Sequence, residues 1–138
     1  MYPLEIVNPC RAELVNAGFE SLETPEAVNQ FFSNLGEQSA IVVVNSVCGC
    51  AAGSARPGVI KSLENEVAPD KMATVFAGVD SQATQAARER MFPYPPSSPA
   101  IALFKGGKLM HMIERHHIEG RPANVLAEHL KAAYEQFC

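Results

Sequence analysis

The sequence contains no long apolar segment and no concentration of basic residues. No apolar run approaches the roughly 18 residues of a membrane-spanning helix, and the first residues lack the basic start and apolar core of a signal peptide. The formal charge is −4 at pH 7 without a basic tract, which argues against nucleic acid or an anionic membrane as the main partner. We therefore expect a cytoplasmic protein.

Internal repeats, low-complexity tracts and linkers are also absent from the sequence. Hydrophobic residues make up 47% and charged residues 19% of the 138 residues, which is the composition of an ordinary globular protein. A chain of this length buries about two thirds of the surface that its unfolded form exposes, so its core needs no disulfide. We predict a single domain over residues 1–138.

Cysteine is scarce, but two of the four cysteines lie close together. Cytoplasmic thiols are kept reduced, so cysteines in such a chain are more often catalytic or free than part of a disulfide framework. Cys10 and Cys138, near the two ends, are predicted to be bystanders, although Cys138 in the last position is open to an accessory role. Cys48 and Cys50 are separated by one glycine and follow an apolar, β-branched run.

The position of Cys48 and Cys50 predicts redox chemistry. A strand that delivers a thiol to a helix N-terminus places backbone N–H groups and the positive end of the helix dipole near the sulfur, and both favour the reactive thiolate. The second thiol is near enough to attack a mixed disulfide formed on the first. Two other interpretations stay open: buried structural cysteines, and a zinc or Cu(I) site, for which one Cys-Gly-Cys is a weak signal.

Hydrophobic periodicity and capping residues predict alternating helices and strands. The strongest helix start is Thr24-Pro25, an N-cap followed by an N1 proline, whereas Asn8 is a plausible N-cap for an earlier helix. Pro57 lies inside the predicted third helix and should kink it. Helices are expected at 9–17, 25–35, 51–67, 81–91 and 122–137, and strands at 40–45, 71–78, 100–105 and 108–113.

The order of these elements predicts an α/β fold, with a central mixed β-sheet flanked by helices and with extra N-terminal helices. A strand, a helix and a strand in succession imply a right-handed crossover and parallel strands. Gly106-Gly107 is a two-residue hairpin signal, so the last two strands should be antiparallel. The four prolines within 93–99 exclude regular structure immediately before this hairpin.

Three segments carry a resemblance to a known family: Val-Val-Val-Asn-Ser-Val-Cys-Gly-Cys-Ala-Ala-Gly, Pro-Ser-Ser-Pro and Arg-His-His-Ile-Glu-Gly. The chain resembles the bacilliredoxins, small proteins of thioredoxin-like fold that remove bacillithiol from oxidised protein cysteines. The resemblance covers nearly the whole chain. It implies that Cys48 attacks and takes the bacillithiol moiety, that Cys50 is the second cysteine, and that Ser98-Pro99 holds a cis-proline opposite the active thiol.

The predicted substrate-binding residues are Gly49, Arg56, Ser98 and Pro99. Residues at i and i+2 of a helix do not face each other, so a Cys48–Cys50 bridge requires distortion and should be readily reduced. Gly49 is free to adopt the positive φ that would accommodate such a turn. Arg56 would add positive potential near the thiolate, or bind a carboxylate of a small thiol, unless it is an ordinary solvated arginine.

Other polar residues near the motif have two interpretations each. Asn45 and Ser46 would position backbone or a substrate by hydrogen bonds, and for Asn45 capping of the strand end is the other interpretation. Arg115, His116 and His117 cluster after the hairpin, where a histidine would serve as a proton shuttle or be an ordinary surface residue.

The sequence therefore predicts a thiol–disulfide oxidoreductase that removes bacillithiol from protein mixed disulfides. Its expected partners are bacillithiolated or disulfide-bonded client proteins and a low-molecular-weight thiol, with no cofactor and no metal. A general protein disulfide isomerase or reductase is the alternative within the same chemistry, and a soft-metal carrier is the alternative outside it.

Overall fold

The sheet is built around a strand that is buried on both faces. The computed structural model describes residues 2–138, and its sheet has five strands in the order β1-β3-β2-β4-β5. The strands are Glu20–Ser21 (β1), Ser39–Asn45 (β2), Lys71–Phe76 (β3), Ala100–Lys105 (β4) and Lys108–Ile113 (β5). The α-helices are Leu4–Val15 (α1), Pro25–Ser33 (α2), Arg56–Ser62 (α3), Ser81–Glu89 (α4), Arg115–Ile118 (α5) and Ala123–Phe137 (α6).

The pairing of the strands confirms the predicted mixed sheet. Strand β2 lies parallel to β3 and antiparallel to β4, so the connection through α3 is a crossover and β4 returns beside it. Strands β4 and β5 form the predicted hairpin, with Gly106 at φ +59° and Gly107 at φ +79° in the turn. These φ values suit glycine because other residues meet a steric penalty there.

Alternate residues of β2 contribute to two separate apolar clusters. Val42 and Val44 lie in the cluster formed with α2 and α4, whereas Ile41 and Val43 lie in the cluster formed with α1, α3 and α6. The period of two residues follows from the pleat of the strand. Strand β2 is therefore covered on both faces, and its polar end carries the chain directly to the cysteines.

The first helix differs from the prediction. It begins at Leu4, so Asn8 is not its N-cap and Pro9 lies in its interior. A proline there removes one helical hydrogen bond, but the burial of Val7 and Leu14 on the same helix stabilises it across this point. The second helix confirms its predicted start, because the Thr24 hydroxyl accepts a hydrogen bond from the Ala27 N–H at 3.1 Å.

The helix after the cysteines changes type before it reaches Pro57. Residues Ala51–Ala55 form a π-helical turn, and α3 then ends at Ser62, five residues earlier than predicted. Pro57 has no N–H and therefore cannot donate the helical hydrogen bond to the carbonyl four residues earlier. The irregular turn lies on this N-terminal side of the proline. A Cβ added to Gly58 would lie 3.0 Å from Leu126 Cδ2, so α3 and α6 pack closely at this glycine.

Two short elements, β1 and α5, were not predicted, because two or four residues give no measurable period. The last helix has its predicted bounds within one residue. Tyr134 on this helix is fully buried, whereas Val125 is 45% exposed. Burial raises the pKa of Tyr134 to about 12, and its hydroxyl lies 2.7 Å from Ser62 Oγ. None of the helices formed by residues 2–138 is long and apolar enough to span a membrane.

Candidate active site

The two motif cysteines lie where β2 ends and the next helical segment begins. Asn45 is the last residue of β2, and the helical segment starts at Gly49, immediately after Cys48. Both thiols are free and half-buried against the apolar cluster that includes α3 and α6. The predicted delivery of a thiol from a buried strand to the start of a helix is therefore confirmed.

Ser46 holds Cys48 by two reciprocal hydrogen bonds. Its hydroxyl donates to Cys48 Sγ at 3.0 Å and accepts from the Cys48 backbone N–H at 3.2 Å. A hydrogen bond donated to sulfur stabilises the thiolate over the thiol. Of the two interpretations left open for Ser46, the structure therefore supports positioning of the active loop.

The surroundings of Cys48 favour its ionised form. Partial burial opposes ionisation, but the Ser46 hydroxyl, the backbone N–H of Ala51, the charge of Arg115 and the Cys50 N–H together lower the pKa of Cys48. The hydroxyl and N–H donors belong to the loop and the first helical turn, whereas Arg115 lies at the start of α5. The structure thus shows the thiolate-stabilising environment that the sequence predicted, with Ser46 and Arg115 as additional contributors.

Arg115 connects the cysteine motif to the proline segment. Its Nη2 donates to Cys50 Sγ at 3.7 Å and its Nη1 donates to the Ser98 carbonyl at 3.0 Å. On its other side, Nε donates to Glu119 Oε1 at 3.0 Å. One guanidinium therefore contacts both segments, although Arg115 follows Cys50 by 65 residues in the chain.

Arg56 lies beneath the active loop and does not face a ligand. Its side chain is 2% exposed, and Nη1 donates to Asn45 Oδ1 at 3.0 Å and to the Ser46 carbonyl at 2.7 Å. Nε lies 3.1 Å from Glu13 Oε1, close enough for an ion pair although the angle is not that of a hydrogen bond. The prediction that Arg56 is a solvated or substrate-binding arginine is corrected, because its guanidinium is buried against the Asn45 side chain and the Ser46 carbonyl.

Asn45 completes the support under the loop. Its Oδ1 also accepts from the Ser46 N–H at 2.8 Å, and its Nδ2 donates to the Cys10 carbonyl at 3.2 Å. The Asn45 side chain is thus hydrogen-bonded both to the backbone of α1 and to the buried Arg56 guanidinium. Asn45 orders the segment that carries Ser46 and is itself 1% exposed, so it contacts no substrate.

The Ser98–Pro99 peptide bond is cis, and a second cis bond, which was not predicted, joins Phe92 to Pro93. Ser98 is half-buried and Pro99 is buried. The Ser98 carbonyl already accepts from Arg115, so this oxygen is engaged within the chain. The predicted roles of Ser98 and Pro99 in substrate binding stay predictions.

Gly49 lies exposed between the two cysteines. Its φ is not positive, and a Cβ added there would meet no atom within 4 Å. The positive φ was predicted for the bridged form, whereas both thiols are free in this structure. A requirement for glycine would arise only in the bridged form, and that role stays a prediction.

Histidines and acids after the hairpin form a second polar group. Within residues 2–138, Glu114, His116 and His117 are the three metal-ligating side chains found close together, and neither motif cysteine belongs to the group. His117 Nδ1 accepts the Glu114 backbone N–H at 3.1 Å. A neutral imidazole has only one acceptor nitrogen, so His117 cannot keep this bond and also ligate a metal through Nε2.

Comparison with known proteins agrees with this geometry. A family model described as "Disulphide isomerase" matches residues 2–138. The chain is 59% identical over 136 residues to a bacilliredoxin of Cytophaga hutchinsonii, with 99% of each chain covered. The chain belongs to the bacilliredoxin family. A bacilliredoxin of Staphylococcus epidermidis is 50% identical over 139 residues, which covers 99% of this chain and 95% of the relative.

Solved structures show that the fold is thioredoxin-like. A thioredoxin of Fasciola hepatica superposes with a TM-score of 0.61 at 17% identity, covering 87% of this chain and all of the thioredoxin. Thioredoxin O2 of Arabidopsis thaliana gives a TM-score of 0.56 at 19% identity, covering 88% and 95% of the two chains. Family membership, fold and paired thiols together identify a thiol–disulfide oxidoreductase.

Proposed function

We propose that this bacilliredoxin-family chain removes bacillithiol from mixed disulfides on client proteins, with Cys48 as the attacking thiol. The observation that carries the proposal is the environment of Cys48, where the Ser46 hydroxyl lies 3.0 Å from Sγ and fixed donors lower the pKa. A cysteine with a stabilised thiolate at the end of a strand is equipped to attack a disulfide.

Two successive exchanges account for the roles of both cysteines. The Cys48 thiolate attacks the bacillithiol sulfur of the client mixed disulfide, forms Cys48–S–S–bacillithiol, and releases the client cysteine as a thiolate. Cys50 then attacks Cys48 Sγ, forms the Cys48–Cys50 disulfide, and releases bacillithiol. The client disulfide gains two electrons and the motif loses two. We expect the reaction to take place in the cytoplasm, where a cellular reductant would reduce the Cys48–Cys50 disulfide to the two thiols again.

The test is intact-mass analysis of reduced protein after incubation with a bacillithiolated client peptide and, in parallel, with a glutathionylated one. A Cys10→Ser/Cys138→Ser background keeps the readout on the motif, and Cys50→Ser traps the first adduct. Addition of the bacillithiol mass at Cys48, with slow transfer of glutathione, is expected. Absence of transfer from both peptides would contradict the proposal.

A second candidate is exchange of ordinary protein disulfides. The description of the matched family as a disulphide isomerase favours it, and the same Cys48 thiolate would attack such a bond. Reactivation of a protein with scrambled disulfides distinguishes the two activities. If reactivation exceeds bacillithiol transfer in rate at equal protein concentration, the isomerase activity is the principal one.

A further inference from the structure

Arg115 is the charged side chain that contacts the second motif sulfur. Its guanidinium lies 3.7 Å from Cys50 Sγ and 3.0 Å from the Ser98 carbonyl. The backbone N–H of Arg115 also donates to Ser97 Oγ at 3.3 Å, which fixes the start of α5 against the proline segment. Arg115 is held at both its main chain and its side chain, so the guanidinium has a defined position.

The chemistry of a guanidinium suits this place. Arginine keeps its charge at any pH at which the protein is folded, and its planar fork supports several directed hydrogen bonds at once. Glu119 accepts from Nε, which leaves the two terminal nitrogens to the carbonyl and the sulfur. A cation against a cysteine sulfur favours the thiolate, and only the thiolate attacks a disulfide.

The two sulfurs differ in what surrounds them. Cys48 receives hydrogen bonds from the Ser46 hydroxyl and from backbone N–H groups, with Arg115 acting on it through charge alone. For Cys50, which also packs against the apolar cluster, the side-chain hydrogen bond described in the structure is the one from Arg115. Loss of Arg115 should therefore affect Cys50 more than Cys48.

We propose that Arg115 is a catalytic residue of the second exchange, in which its guanidinium holds the Cys50 sulfur as the attacking thiolate beside the proline segment. This inference rests on the proposed function, because it assigns a role within the second step. Cys50 contributes the electron pair of the new Cys48–Cys50 bond, and the small thiol leaves Cys48 with the pair of the broken bond.

The experiment separates the two steps with dithiobis(nitrobenzoate) as the probe. In the Cys10→Ser/Cys138→Ser background, Cys48 attack releases one equivalent of nitrothiobenzoate and leaves the other on Cys48. Attack by Cys50 then releases the second equivalent. Stopped-flow absorbance measures both releases in one trace for the parent, Arg115→Gln and Arg115→Lys. Arg121→Gln, which removes one exposed positive charge elsewhere, is the matched control.

Arg115→Gln is expected to slow the second release by about threefold or more and the first release by less. The difference between the two steps follows from the loss of the charged donor 3.7 Å from Cys50 Sγ, whereas Cys48 keeps its hydrogen bond from Ser46. Arg115→Lys should recover part of the second rate, because it restores charge but not the fork. Arg121→Gln should match the parent.

Each result bears on one proposal. An unchanged second release in Arg115→Gln would overturn the role of Arg115. Slowing of both releases to the same extent, in Arg115→Gln and in Arg115→Lys alike, would also overturn it, because this result would indicate that the residue only supports the fold. Thermal melting of each variant identifies such a loss of structure. If the parent shows no second release at all, the resolving role of Cys50, and hence the two-step function, fails instead.

Discussion

Cys48 and Cys138 are two half-buried thiols at opposite ends of β2, and their pKa values move in opposite directions. At Cys48 burial is outweighed by the Ser46 hydroxyl, by backbone N–H groups and by Arg115, so the pKa is lowered. At Cys138 burial prevails over a hydrogen bond with Ser39 and the charge of Lys105, while Asp70 adds to the increase, so the pKa is raised. Each thiol has a serine and a cation nearby.

The difference lies in where the serine hydroxyl points and in what else is close. Ser39 Oγ donates to Asp70 Oδ2 at 3.2 Å, so its proton is shared with a carboxylate. Ser46 Oγ donates to Cys48 Sγ, and no acidic group contributes to the pKa of Cys48. A serine and a cation beside a cysteine therefore do not activate it unless their donors are directed at the sulfur.

Removing either thiol gives the largest test of this comparison. Cys48→Ser should reduce transfer of a mixed-disulfide adduct to the uncatalysed level, because the proposed attacking thiol, whose pKa is lowered, is removed. Cys138→Ser should leave the rate within twofold of the parent, about 0.4 kcal/mol at most in activation free energy. Intact-mass kinetics with one mixed-disulfide peptide measure both variants. Equal losses in the two variants would contradict the distinction drawn here.

The second test removes the buried support that only Cys48 has. Arg56→Met should lower the free energy of unfolding by about 3 kcal/mol, the lower end of the range for breaking a buried ion pair, because Glu13 is partly exposed. It should also slow alkylation of Cys48 but not of Cys138. Urea unfolding and thiol alkylation provide the two readouts. Arg121→Met, an exposed arginine, should change stability by about 0.5 kcal/mol or less.

The third test concerns the Ser46 hydroxyl. A hydrogen bond to a charged group contributes about 1.5–3 kcal/mol, and the compensating gain in nucleophilicity leaves about half of this in the rate. Ser46→Ala should therefore slow alkylation of Cys48 by iodoacetamide about fourfold to twelvefold at neutral pH. Ser33→Ala, at an exposed serine, is the control. A rate equal to the parent would show that backbone donors and Arg115 suffice.

The smallest perturbation is a change of pH, which leaves every side chain in place. The reactive species is the thiolate, so alkylation of each cysteine rises with pH until its own pKa is passed. Because the pKa of Cys48 is lowered and that of Cys138 is raised, the ratio of the Cys48 rate to the Cys138 rate should be largest at pH values below both pKa values, should fall between them and should level off above both. Peptide mapping after timed alkylation gives both profiles. A constant ratio would contradict the opposite shifts.

Local signals in the sequence predicted those parts of the fold that depend on neighbouring residues. Thr24-Pro25 begins a helix and Gly106-Gly107 forms the hairpin turn, since capping and turn chemistry act over a few residues. Pro9 misled the prediction of the first helix because tertiary burial of Val7 and Leu14 outweighs one missing hydrogen bond. Short-range preference and long-range burial conflict there, and burial prevails.

The candidate site divides in the same way. Cys48 and Cys50 could be located from spacing alone, whereas Arg115 became part of the site only through the turn after β5. No periodicity relates residues 65 positions apart, so the sequence suggested only a cluster with His116 and His117. The burial of Arg56 was not predicted, because the position of its side chain depends on a π-helical turn for which the sequence has no recognised pattern.

That π-helical turn has a consequence for the lengths that the chain can tolerate. A π-turn holds one more residue than an α-turn, and one residue corresponds to about 100° of rotation about a helix axis. Loss of a single residue from Ala51–Ala55 would thus convert the π-turn to an α-turn. Arg56 would then be rotated about the helix axis, away from Asn45, while the cysteines keep their place. Substitution of exposed Ala52 should be tolerated, but its deletion should uncouple Cys48 from its buried support and slow alkylation of that thiol. In this segment, residue number is constrained more tightly than residue identity.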